Sequence, residues 1–245
     1  MKLALDIGNT RIKWGLREGK TWQQQGHLLT KNSHDSLHSL IHTYTPQAVH
    51  VANVSHHELT QCLTNITQQL SIPLQVLTGE SPLPPLINLY HQPKQLGVDR
   101  WLSLFAARQL ISGSVLVVNS GTATTIDALN SDNQFLGGVI IPGITMMEQI
   151  LNLGTANINA CQGQHVAWPR NSADALTRGA IEATIGAIKE RYNLFKEVLD
   201  TPSVTLIISG GNRSLLSSHL TLPHQVVDNL TLEGLGFHID MDVGT

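Results

Sequence analysis

Charge is scarce in this 245-residue chain: Asp, Glu, Lys and Arg together make up only 13% of it. The net charge of -3 and the scattering of Lys and Arg leave no electrostatic footprint for nucleic acid. Cysteine is almost missing too. Cys62 and Cys161 stand far apart without Cys-x-x-Cys spacing, and the plain expectation is reduced thiols in a cytoplasmic protein. No apolar run reaches the roughly 20 residues of a membrane span, and an acid interrupts the first apolar run, so neither a span nor a signal peptide is expected. The sequence also lacks Gly-x-x-x-x-Gly-Lys-Ser/Thr, which rules out a P-loop for holding phosphates. His34, His38 and His42 recur at a helical spacing of four, but no Cys or carboxylate pattern completes a zinc site. They read as a polar helix face.

What remains is apolar enough, at 41% hydrophobic residues, to build one large or two modest cores. The organising stretch is Leu3-Ala4-Leu5-Asp6-Ile7-Gly8-Asn9-Thr10. A short apolar run with one acid, closed by Gly, an amide and a hydroxyl, reads as a buried strand feeding a tight turn. Gly8 permits close backbone approach, and Asn9 and Thr10 offer donors there, a combination suited to a phosphate and its metal ion. Val115-Leu116-Val117-Val118-Asn119-Ser120-Gly121-Thr122 repeats the plan. Each copy is followed by a strand, a polar turn and a third strand, so an internal duplication is expected.

Between the copies, helical spacing marks Ser33–Tyr44 and His56–Leu70, with short strands at Ala48–Val54 and Leu74–Leu77. Ser81-Pro82-Leu83-Pro84-Pro85 must be a rigid loop. Leu96-Gly97-Val98-Asp99-Arg100 opens a helix that stops at Ser112-Gly113. In the second half, helices are expected over Ile144–Leu151 and Ala173–Leu199, with irregular chain from Gly154 to Pro169. Strands at Val204–Ile208 and Gln225–Val227 and a last helix from Leu230 complete it. Each half therefore reads strand-strand-strand-helix-strand-helix-strand-helix. The expected fold is α/β, two duplicated ribonuclease H-like domains with mixed five-stranded sheets and flanking helices. The expected division is residues 1–113 and 114–245.

Asp6-x-Gly8-Asn9-Thr10, Gly97-Val98-Asp99-Arg100 and Gly121-Thr122-Ala123-x-Thr125-x-Asp127, in this order and spacing, resemble the type III pantothenate kinases. Gly137-Gly138, Pro142-Gly143 and Ser209-Gly210-Gly211 support the likeness, which runs from Leu3 to Leu235. That family has the actin-like architecture of the acetate and sugar kinase, heat-shock ATPase and actin superfamily. The resemblance implies ATP-dependent phosphorylation of pantothenate to 4′-phosphopantothenate, the first step of coenzyme A synthesis. Alternatives kept open are a kinase of another small alcohol and a non-catalytic transcription-accessory relative.

On this reading Asp6, Gly8, Asn9, Thr10, Gly121 and Thr122 hold the ATP phosphates by backbone amides and hydroxyls. Lys13 either neutralises a phosphate or is a solvated strand lysine. Asp6 and Asp127 hold Mg²⁺, directly or through water. Asp99 is the candidate general base, since a carboxylate suffices to orient a hydroxyl and accept its proton late; the bland alternative is an acid suiting the helix dipole. Arg100 suits the pantothenate carboxylate. The resemblance further implies that Tyr90, Gly97 and Val98 line the pantothenate site. Ser172 stands where the family usually has Thr and is expected to act across a homodimer interface, while Ser209-Gly210-Gly211 is expected near the adenine. Asn119 replaces the family's usual Asp, which holds a monovalent cation. It keeps a carbonyl oxygen but no charge, so activation by K⁺ or NH₄⁺ is expected to be reduced or absent.

Overall fold

In the computed structural model, residues 1–54, 56–154, 163–199 and 203–241 are described. Cys161 and most of the stretch expected to be irregular after Gly154 lie outside them. The chain divides into two units, Met1–Leu110 with Asn229–Thr245, and Ile111–Asp228.

Unit 1 starts with β1 (Lys2–Ile7), β2 (Arg11–Glu18) and β3 (Thr21–Leu29), an antiparallel meander. After α1 (His34–Tyr44), β4 (Val49–Asn53) returns parallel to β1, and after α2 (His57–Gln69), β5 (Leu74–Leu77) lies parallel to β4. The strand order is β3-β2-β1-β4-β5. A two-residue strand β6 (Ile87–Asn88) and a 3-10 turn precede α3 (Val98–Leu110). Alternation along β1 sorts its side chains. Leu3, Leu5 and Ile7 join Leu37, Ile41, Leu59 and Leu63 in a core under α1 and α2. Ala4 and Asp6 take the opposite face. Ser33 occupies the N-cap of α1, but its hydroxyl makes no capping bond.

Unit 2 repeats this plan with β7 (Val115–Ser120), β8 (Ala123–Leu129), β9 (Gln134–Pro142), α4 (Ile144–Gly154), α5 (Ser172–Val198), β10 (Thr205–Ser209), α6 (Arg213–His219) and β11 (Gln225–Val226). Its strands run β11-β10-β7-β8-β9, with β7–β8 and β8–β9 antiparallel and β7–β10 and β10–β11 parallel. The same offset along the chain carries Lys2–Ile7 onto Val115–Ser120 and Thr21–Leu29 onto Gln134–Pro142. Both meanders also shift register late in their second strand, between Leu16 and Arg17 and between Ala128 and Leu129. Ile181, Ile185 and Ile188 of α5 recur at helical spacing and bury against Leu116, Val118 and Ile126.

The last helix, α7 (Leu230–Met241), departs from the expected division at residue 113. It belongs to unit 1, where it packs on α3 and β1. The cause is specific. Arg17, 4% exposed, donates to both Asp240 carboxylate oxygens at 2.9 and 2.6 Å, and Trp22 donates to Glu233 at 2.9 Å. A buried guanidinium needs such a bidentate partner to offset its lost hydration.

Candidate active site

Asp6 is the penultimate residue of β1, paired in register with Lys13 of β2. The Lys13 ammonium is 4.0 Å from the carboxylate. Burial nevertheless pushes the Asp6 pKa up from 3.8 to about 6; Lys13 opposes that rise and the negative charge of Asp99 adds to it. A poorly solvated carboxylate facing a second one is short of positive charge, and its hard oxygens fit Mg²⁺. Beyond Asp6 the chain turns through Gly8, Asn9 and Thr10, the last two exposed. The turn is closed by Gly8 N–H to Arg11 C=O at 3.1 Å.

Asp99 sits in the first turn of α3, half-buried, where its Oδ1 accepts the Arg100 backbone N–H at 2.9 Å. Its own carbonyl accepts the Ser103 hydroxyl at 2.7 Å, and Ser103 meets Thr231 of α7 at 3.0 Å. Both hydroxyls are buried, so α7 helps hold the helix end that carries Asp99. Arg100 is 5% exposed and donates to the Tyr90 hydroxyl at 2.9 Å. Two residues expected at the pantothenate site therefore meet, although Arg100 presents little open surface to a carboxylate. Val98 is buried in the core.

In unit 2 the equivalent turn, Gly121-Thr122-Ala123, is also exposed. Gly121 N–H bonds Ala123 C=O at 2.9 Å, and Gly143 N–H bonds Thr122 C=O at 3.0 Å. A Cβ on Gly143 would strike the carbonyl oxygens of Gly121 and Thr122, so only glycine lets these backbones approach. Asn212 locks the Ser209-Gly210-Gly211 turn to this one. Its backbone N–H reaches Ser120 C=O at 3.0 Å, and its side chain lies 3.3 Å from the Ser120 hydroxyl and 3.4 Å from Gly121 C=O. The Asn119 carbonyl oxygen lies against Gly210, so the Asn119 position and the Ser209-Gly210-Gly211 turn are neighbours. Asp127 lies two residues below Thr125 on β8, 1% exposed, its carboxylate against Gly138. A carboxylate this buried has little room for the waters that Mg²⁺ usually keeps. Of the two acids expected to hold Mg²⁺, Asp6 is the more open, its side chain 13% exposed against 1% for the whole of Asp127. Among the described residues, no group of three or more His, Cys, Asp or Glu side chains is placed to hold a metal ion.

Ser172 opens α5, exposed, beside Asn171, whose side chain caps the helix by accepting from Asp174 N–H at 2.9 Å. It lines an apolar cavity of about 540 Å³ with Pro142, Met147, Leu151 and Leu176. No helix among the described residues is long and apolar enough to cross a membrane. The sequence reading missed Thr30, Ser103, Asn212 and Thr231. A hydroxyl or amide at an element end has no periodic signal, although Thr30 stands where the strand offset places Gly143 in the second copy.

Residues 2–193 match the family model described as type III pantothenate kinase. A type III pantothenate kinase of Dechloromonas aromatica (strain RCB) is 39% identical over 239 residues, covering 96% of this chain and 97% of that one. Another, of Chromobacterium violaceum, is 36% identical over 235 residues, covering 96% and 98%. Among solved structures, a putative Baf family transcriptional activator from Campylobacter jejuni superposes with a TM-score of 0.63 at 23% identity, covering 99% of this chain and 100% of that one. A putative 2-dehydro-3-deoxygalactonokinase from Sinorhizobium meliloti gives 0.58 at 14% identity, covering 99% and 96%. At those identities the two structures speak for the fold alone, and the sugar-kinase-like architecture agrees with the duplicated plan. The matches in sequence, spanning nearly the whole chain, establish that it belongs to the type III pantothenate kinase family.

Proposed function

We propose that this protein transfers the γ-phosphoryl group of ATP to the 4′-hydroxyl of pantothenate, releasing ADP and 4′-phosphopantothenate, in the cytoplasm. The observation that carries the reading is a pair of carboxylates in one unit: Asp6 at the end of β1, whose pKa is raised by burial and to a lesser degree by the charge of Asp99, and Asp99 itself, half-buried at the head of α3. Asp99 orients the hydroxyl and takes its proton as the oxygen bonds to phosphorus and the bond to the ADP oxygen breaks. Asp6 holds Mg²⁺, which neutralises phosphate charge when bound. In unit 1 the exposed turn after β1 offers donors to phosphate oxygens; in unit 2 the exposed turn after β7 offers the same groups, and the turn after β10, tied to Ser120 and Gly121 by Asn212, is the candidate for the adenine. Tyr90 and Arg100 line the pantothenate site as a hydrogen-bonded pair. Asn119 supplies an uncharged oxygen where relatives are expected to hold K⁺ or NH₄⁺, so activation by either ion is reduced or absent.

A homodimer belongs to the same reading, with Ser172 serving the site of the second copy. The apolar cavity between α4 and α5 and the half-exposed Ile150 and Leu151 support a covered face there. The test is pantothenate-dependent ADP release from wild type and Asp99→Asn, in K⁺ and in Na⁺ buffer. Expected are similar rates in the two buffers and a loss of roughly 10²–10⁴ in kcat for the variant. Folded wild-type protein with no turnover in either buffer would overturn the reading.

A further inference from the structure

Thr30 lies just past β3, 6% exposed, and is the residue that fixes the first glycine turn from behind. Its hydroxyl donates to the Gly8 carbonyl at 2.7 Å, and its backbone N–H donates to the Thr10 carbonyl at 3.1 Å. Two carbonyls of the turn, those of Gly8 and Thr10, are thereby drawn toward one residue. In a trans peptide the C=O of one residue and the N–H of the next point in opposite directions. Holding Gly8 C=O on Thr30 therefore directs Asn9 N–H away from β3. Holding Thr10 C=O does the same for Arg11 N–H.

We propose that Thr30 is a positioning residue for the nucleotide phosphates: its hydroxyl sets the orientation of the Gly8–Asn9 peptide, so that the turn presents N–H dipoles rather than carbonyl oxygens to the anion. This deepens the reading of the turn as a phosphate site and rests on it. The second copy supports the role by solving the same problem differently. At the equivalent place stands Gly143, whose backbone lies hard against Gly121 C=O and bonds Thr122 C=O. Close backbone packing restrains the carbonyls there. In the first copy a side-chain hydroxyl does so. Without it, the Gly8 carbonyl has lost the donor that turns it inward, and a carbonyl rotated outward repels phosphate oxygen.

Thr30→Val keeps the volume and removes only the hydroxyl. Calorimetric titration of the full-length protein with Mg·ATP, beside steady-state kinetics and thermal unfolding, tests the role. Expected for Thr30→Val is a rise of about tenfold in the Mg·ATP dissociation constant and in KM for ATP, with KM for pantothenate unchanged and kcat at saturation little altered. Thr30→Ser restores both nucleotide parameters. If Thr30→Val does not fold, the pair Thr30→Ala and Thr30→Ser reads the same contrast. Wild-type nucleotide binding in Thr30→Val or Thr30→Ala overturns the proposal, as does equal impairment in Thr30→Ser, or parallel rises in both KM values. A wild-type protein that binds Mg·ATP yet phosphorylates no pantothenate would sink the kinase assignment alone, because the titration still reads Thr30.

Discussion

β1 and β7 have the same length, the same neighbours and the same exit into an exposed turn, yet they deliver different chemistry. β1 brings a carboxylate, Asp6, into poorly solvated surroundings. At the matching position β7 brings an amide, Asn119. One sheet topology thus supplies one turn that follows a carboxylate and another that follows an amide. The specialisation lies in a few positions, Asp6 against Asn119 and Thr30 against Gly143, while the strands that place them stay alike. Duplicated scaffolds can divide labour this way because register fixes where a side chain goes and leaves open what it is.

The hardest test of the comparison is to make the two turns alike. Asp6→Asn gives unit 1 the amide of unit 2. A fall of 10² or more in kcat is expected in a Mg²⁺ titration, on the order of a lost metal-bound charge. The same variant without metal carries the opposite sign in stability. Burial raises the folded-state pKa of Asp6 from 3.8 to about 6, so the folded protein keeps a proton that the unfolded chain releases. That contribution to stability is full below about pH 4, is lost as pH rises to about 6 and stays lost above. Asp6→Asn is therefore expected to be more stable than wild type by about 3 kcal/mol at pH 7 in chelator, the difference vanishing near pH 4. Denaturant midpoints at the two pH values measure it.

Next in size is Gly143→Ala. A methyl there meets two carbonyl oxygens of the second turn, and a loss of about 2–3 kcal/mol in chemical denaturation is expected, with weaker nucleotide binding. Asn119→Asp restores a charge to unit 2. It is expected to raise the ratio of initial rates in K⁺ and Na⁺ several-fold over the wild-type ratio. The smallest effect belongs to Gly121→Ala, whose new methyl would find only the Ala123 carbonyl at 4.0 Å. Its Tm should move by no more than about 2–4 °C, and a large drop would show that this turn needs glycine for more than space.

Much of this was legible in the residues. The apolar runs at Leu3–Ile7 and Val115–Val118, each closed by a polar residue and glycine, announce the duplicated meanders, and helical stripes place α2 and α5 to within a residue or two. Asp6 stands out because a lone acid at a strand end is chemically conspicuous, whereas Asp99 stands out only through the motif Gly97-Val98-Asp99-Arg100, since an acid at a helix start also suits the dipole. The assignment of α7 was not legible. Periodicity says that Leu230–Met241 is a helix, but not which sheet it covers, and the deciding pair joins Arg17 to Asp240 across most of the chain. Asp127 shows the opposite limit. An acid in a motif invites a metal, but only the packing against Gly138 reveals how little solvent reaches it. Thr30 has no local signature at all, because its partner is a carbonyl oxygen, which every residue has.

The return of α7 to unit 1 also bears on the order in which the protein can be made. A ribosome emits the chain from the N-terminus, so the strands and first three helices of unit 1 emerge long before the helix that covers one face of their sheet. Unit 2 is one continuous stretch, Ile111–Asp228, and has all its parts as soon as that stretch is out. During synthesis the second unit is thus free to close first. Arg17 and the head of α3 meanwhile wait for their partners on α7, so Asp99 gains its final support only when the last helix docks.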